Sequence, residues 1–94
     1  MKIRYSPEAA KDLLDVVEYL VVRNPTAAAA LHAQVRATIC RIATGDLDGP
    51  ETVLRTGTRV RSWPVHPFRI YYRRVGGVLQ VVRIYHHARK PIER

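Results

Sequence analysis

The second half of the chain gathers residue types able to cleave a phosphate ester without a metal. Arginine, tyrosine and histidine recur through Phe68-Arg69-Ile70-Tyr71-Tyr72-Arg73 and again through Arg83-Ile84-Tyr85-His86-His87-Ala88-Arg89. RNA carries its own nucleophile in the 2′-hydroxyl, so its cleavage needs a base, an acid and a cation that stabilises the charged phosphorane. His66, His86, His87, Tyr71, Tyr72 and Tyr85 are candidates for proton transfer, with Arg69 and Arg89 as stabilisers. Two-metal chemistry is disfavoured, because it requires clustered carboxylates and Glu93 is the sole acid after Glu51. Adjacent residues on a strand point oppositely and no third ligand is spaced to join His86 and His87, so no metal site and no cofactor are expected. The single cysteine, Cys40, rules out an intrachain disulfide and a cysteine-cluster zinc site, and points to a reducing cytosol. It flanks an apolar stripe and reads as a packing residue.

Charge sharpens this picture. The 94 residues carry 16 Lys+Arg against 8 Asp+Glu, for a net charge of +8. Met1 to Glu51 holds six basic residues and seven acids, whereas Thr52 to Arg94 holds ten basic residues and one acid. Essentially all the excess therefore lies in the second half. Thirteen of the sixteen basic residues are arginine, which favours planar, bidentate contacts with phosphate or carboxylate. Such segregation suggests a surface for nucleic acid or for an acidic protein partner. The longest apolar run is five residues, Ala27 to Leu31, so no membrane-spanning helix is expected. No signal-peptide core follows Met1, and a cytoplasmic location is expected.

The length suits one small domain spanning residues 1–94. Lys2 to Tyr5 reads as a short strand. Ser6 then caps a helix with Pro7 at its first position and apolar residues at Ala9, Leu13, Val16, Val17 and Leu20, ending near Arg23. Asn24-Pro25 repeats the start signal for a second helix that buries Ala28, Leu31, Val35, Ile39 and Ile42 and closes at Gly45. Gly45 to Gly57 is rich in turn formers and reads as a loop. Beyond it the period changes to two, giving strands over Thr58 to Val65, Phe68 to Arg73 and Val78 to His87, the last two joined by a turn at Gly76-Gly77. The expected architecture is α+β, in the order β-α-α-β-β-β, with a helical hairpin packed on one face of a small, largely antiparallel sheet. If the helices cover Val60, Phe68, Ile70, Tyr72, Val82 and Ile84, the opposite face presents Arg59, Arg61, Trp63, Arg69, Tyr71, Arg73, Arg83, Tyr85 and His87. Guanidinium groups interleaved with rings would suit a single nucleic-acid strand.

Four segments in one order, Tyr5-Ser6-Pro7-Glu8-Ala9, Asn24-Pro25 with its alanines, Phe68 to Arg73 and Arg83 to Pro91, make the chain resemble the RelE/ParE family of bacterial toxin–antitoxin toxins over nearly its whole length. The resemblance implies a growth-inhibiting toxin held inactive in a hetero-oligomer with a cognate acidic antitoxin. RelE-like members cleave mRNA on the ribosome, and ParE-like members inhibit DNA gyrase. Arg69 and Arg89 are similar to the two arginines of RelE-like catalysis, with His87 and Tyr85 as the companions that reading would use. Arginines replace the lysines expected between Arg59 and Ser62, and the C-terminal tyrosine has no counterpart. These departures favour the ParE-like branch, a binding protein and not an enzyme. Arg59, Arg61, Trp63, Arg69, Tyr71, Arg73, Arg83 and Arg89 are then the residues expected to meet target or antitoxin. A metal-free mRNA endonuclease, or a basic binding module without toxicity, stands as the alternative.

Overall fold

A computed structural model describes all residues, Met1–Arg94. Its elements are β1 (Lys2–Tyr5), α1 (Pro7–Arg23), α2 (Pro25–Ala43), β2 (Glu51–Val53), β3 (Arg59–Val65), β4 (Phe68–Val75) and β5 (Val78–His86). The strands form one sheet in the order β1-β5-β4-β3-β2, parallel between β1 and β5 and antiparallel elsewhere. The α+β architecture thus matches the expectation, with one strand more. β2 lies inside the stretch read as a loop, because three residues are too few to display a period. No helix is long and apolar enough to cross a membrane.

The helix boundaries follow from their caps. Ser6 Oγ accepts from the Ala9 N–H at 3.0 Å and donates to the Val82 carbonyl at 2.6 Å, so one side chain starts α1 and ties it to β5. Asn24 ends α1 through its N–H to the Leu20 carbonyl, and its side chain accepts from the Ala27 N–H at 3.0 Å to start α2. A single residue therefore makes the bend. Ala9, Val35, Ile39 and Ile42 from the helices pack with Val65, Phe68, Ile70, Tyr72, Leu79, Val81 and Ile84 from the sheet to form the main core. Cys40 is exposed and does not pack there, because the buried stripe runs through Ile39 and Ile42 on either side of it.

Two faces of the sheet differ from the expected assignment. Arg61 pairs with Tyr72 and Trp63 with Ile70, so Arg59, Arg61 and Trp63 have the parity of the helix side, and Trp63 packs against the main core. Val60 faces the other way. In β5 the register shifts at Tyr71/Tyr72: Tyr71 pairs with Arg83 and Tyr72 with Val81, leaving Val82 as an extra residue. This bulge lets Leu79, Val81 and Ile84 all face the helices and turns Val82 to the opposite side.

That opposite side is not bare. Leu54, Val60, Tyr71 and Tyr85 form a second small core there, joined by Val82 and Ile92. The last residues of the chain fold back over it. The Arg55 N–H donates to the Ile92 carbonyl at 2.7 Å, the Arg94 N–H to the Val53 carbonyl at 2.9 Å, and Leu54 bridges Glu93.

Candidate functional site

Under this C-terminal segment lies a cavity of about 180 Å³ lined by Arg69 and Tyr71 of β4, Tyr85 of β5, and His87, Arg89 and Glu93 beyond it. The four residues tied to RNA cleavage in the sequence, Arg69, Arg89, His87 and Tyr85, are therefore brought together. Arg69 is oriented by Nη1, which donates to Ser62 Oγ at 2.8 Å. Arg89 lies 5.1 Å from the Tyr85 ring centroid. His87 Nδ1 is 2.6 Å from the Pro67 carbonyl. A carbonyl only accepts, so Nδ1 carries a proton, and in the neutral ring Nε2 is the nitrogen that keeps a lone pair. The His87 ring stacks with those of His66 and His86, with centroids 5.0 and 5.1 Å away.

The tyrosines are committed elsewhere. Tyr71 donates its hydroxyl to Glu93 Oε2 at 2.6 Å, while Glu93 Oε1 accepts from Thr52 Oγ1 at 2.7 Å. Burial first, and then the Glu93 carboxylate, push the Tyr71 phenol far above its ordinary value. The same two hydrogen bonds hold the Glu93 carboxyl below the usual range. Tyr85 donates to the Lys90 carbonyl. Both rings are buried, so the expected open platform of rings between arginines does not form: the C-terminal segment covers them.

Arg83 has the expected parity, paired with Tyr71, but its guanidinium turns over the sheet edge toward α1. β1 pairs with β5 only as far as Val81, which leaves the later edge of β5 without a strand. Asp12 of α1 occupies that edge. Its carboxylate accepts from Arg83 Nε at 2.7 Å and Nη2 at 2.9 Å, and from the Ile84 N–H at 3.1 Å. The hydrogen bond to Asp12 raises the Arg83 pKa, and its charge is spent on holding α1 to the sheet.

Arg59 and Arg61, with helix-side parity, and Arg73, on the opposite face, lie instead at the other end of β3 and β4, around a cavity of about 460 Å³. Arg61 Nη1 donates to the Gly49 carbonyl at 2.8 Å, and Arg73 Nε to Gln80 Oε1 at 2.7 Å. Arg59 has neither a hydrogen bond nor an ion pair from its guanidinium. No group of three or more His, Cys, Asp or Glu converges in a way that would hold a metal ion.

A family match accompanies this fold: the model for the ParE toxin of the type II toxin–antitoxin system parDE matches residues 3–91. The chain belongs to the ParE toxin family. A solved chain from a chromosomal ParDE toxin–antitoxin system of P. aeruginosa shares the fold, with a TM-score of 0.72 and 21% identity over 92% of this chain and 95% of that one. No curated protein matches the sequence. In this ParE-family chain, the acids Asp12, Asp48 and Glu93 organise the arginines and tyrosines, and sequence reasoning passed over all three as site residues. Only Glu93 carried a signal, as the sole acid of so basic a half; Asp12 and Asp48 lie among the seven acids of the first half and had none.

Proposed function

We propose that this ParE-family chain arrests growth in the cytoplasm by binding DNA gyrase, and that a cognate acidic antitoxin neutralises it in a hetero-oligomer. One observation carries the preference for a binding protein over a nuclease. The hydroxyls of Tyr71 and Tyr85 are spent on Glu93 and the Lys90 carbonyl, and Glu93, held below the usual carboxyl range, is no acid, so His87 has no protonated partner in the cavity around Arg69 and Arg89.

Two surfaces support an antitoxin. Leu14, Tyr19, Val21 and Val22 of α1 are exposed, Val22 at 80%, which suits an apolar partner segment. Arg59, Arg61, Arg69, Arg73 and Arg89 supply charge for an acidic one, and Arg83, Trp63 and Tyr71 leave that role for structural ones. Association with an acidic antitoxin peptide is expected to slow as salt rises; a rate flat from low to high salt would contradict steering by these arginines.

A second reading rests on the convergence of Arg69, Arg89, His87 and Tyr85 in one cavity, with His87 Nε2 free. It is a RelE-like, metal-free endonuclease acting on mRNA at the ribosome. Induction in growing cells separates the two. The gyrase reading expects filamentation and trapped DNA breaks with intact transcripts. Codon-positioned mRNA cuts that disappear in Arg69→Ala or Arg89→Ala would replace it with the endonuclease reading. Growth unaffected by induction would leave a binding module without toxicity.

A further inference from the structure

We propose that the arginine cluster at the far end of β3 and β4 is a phosphate-binding site, able to hold the backbone of a nucleic-acid strand or a phosphate-rich small molecule. Arg59, Arg61, Arg73 and Arg74 line its cavity of about 460 Å³ together with Asp48 and Glu51. The volume falls within the range of small-ligand sites.

Two of these arginines are fixed before any ligand arrives. Asp48 Oδ1 accepts from Arg74 Nη1 at 2.9 Å and from the Tyr72 hydroxyl at 2.9 Å, and Asp48 Oδ2 lies 3.7 Å from Arg61 Nη1. Arg74 Nη2 donates to the Ile42 carbonyl at 2.9 Å near the end of α2, and Arg61 donates to the Gly49 carbonyl. Holding these side chains in place removes part of the ordering cost of binding. Each guanidinium has five N–H donors, so Arg61 and Arg74 still have donors to offer. Arg73 uses its Nε on Gln80 and keeps both terminal nitrogens. Arg59 is exposed and uses none.

The charge balance favours an anion. Arg74 and Arg61 neutralise Asp48, which leaves Glu51 as the only other carboxylate against a surplus of guanidinium charge. Arginine forks match the tetrahedral oxygens of phosphate. No aromatic ring lines the cavity, so bases have nothing to stack on, and recognition goes to phosphates without regard to sequence. The site is separate from the cavity of Arg69 and Arg89, and its failure would leave the gyrase reading untouched.

The test uses the full chain with two probes at low salt: a fluorescent 12-nucleotide single-stranded DNA followed by anisotropy, and sodium triphosphate followed by calorimetry. Arg59→Ala is expected to weaken binding about five- to tenfold and to lower the salt slope by about one, and Arg73→Ala, on the opposite face of the sheet, to weaken it less. Lys11→Ala, which removes an exposed cation of α1 away from the cavity, should lie close to wild type. Melting curves check that the variants fold, and Arg59→Lys should keep part of the affinity by retaining the charge. Binding of both probes assigns the site to a nucleic-acid backbone, and binding of triphosphate alone assigns it to small phosphate compounds. The proposal is overturned if neither probe binds, if the Arg59→Ala/Arg73→Ala double variant binds like wild type, or if polyglutamate of equal charge displaces the probe as well as triphosphate does. The last result would show no preference for phosphate and leave the cluster with the acidic antitoxin alone, as in the functional reading above.

Discussion

The two arginine clusters of this ParE-family chain lie at opposite ends of the same strands and are built in opposite ways. Around Arg69 and Arg89 the chain's last residues close over the sheet, bury Tyr71 and Tyr85 and tie down their hydroxyls. Around Arg59, Arg61, Arg73 and Arg74 no ring lines the cavity and nothing folds over the guanidinium groups, while Asp48 and two backbone carbonyls hold two of them in place. The first cluster has residues for chemistry but few free proton donors. The second has charge and no chemistry. Equal arginine content thus does not mean equal function; what differs is which partner groups the fold places beside the guanidinium.

The sharpest way to break this contrast is Gly49→Ala. A Cβ at Gly49 would run into the Ser62 backbone carbonyl, and the Gly49 N–H also donates to the Tyr72 hydroxyl at 2.7 Å. Backbone must move, so a loss of about 3 kcal/mol is expected in denaturant melts, with weaker anion binding at the Arg61 end. A wild-type midpoint would show that the close approach is dispensable. Removing residues 90–94 comes next, at about 2 kcal/mol, from lost burial of Ile92 and the lost Glu93 hydrogen bonds. Tyr71 and Tyr85 should then become reactive to tyrosine modification; unchanged reactivity would mean that the segment does not shield them.

Glu93→Gln should cost about 1 kcal/mol, because the amide keeps one accepting oxygen and turns an NH2 donor toward the other hydroxyl. It also carries a pH signature. The Glu93 carboxyl is depressed on folding, so its contribution is present above the unfolded value near 4.5 and is lost as pH falls through the lower folded value. The variant should therefore lose less stability on acidification than wild type, and parallel acid limbs in urea titrations would refute this. Smallest of all, Arg59→Ala should leave stability within about 0.5 kcal/mol of wild type, since the side chain is exposed and unpaired. A larger shift would reveal a structural role for Arg59.

Element boundaries were legible because caps and prolines state them. Ser6-Pro7 and Asn24-Pro25 mark the starts of α1 and α2 where the structure has them. Face assignment was legible for β4, where Phe68, Ile70 and Tyr72 alternate cleanly with Arg69, Tyr71 and Arg73. It failed for β3, because apolar residues fall on both parities: Val60 joins the small core under the C-terminal segment, while Trp63 and Val65 join the main one. It failed for β5 because alternation cannot reveal an extra residue, and Val82 shifts the parity partway along. The burial of Tyr71 and Tyr85 was hidden for a related reason. It depends on residues 90–94 returning across the sheet, a long-range contact with no local pattern.

Gyrase binding is the function proposed for this ParE-family chain. Purified protein titrated into a gyrase supercoiling reaction tests it directly. The account predicts that supercoiling stops and cleaved DNA accumulates as the protein reaches excess over gyrase. Supercoiling that proceeds at its normal rate in the presence of excess folded protein would contradict it.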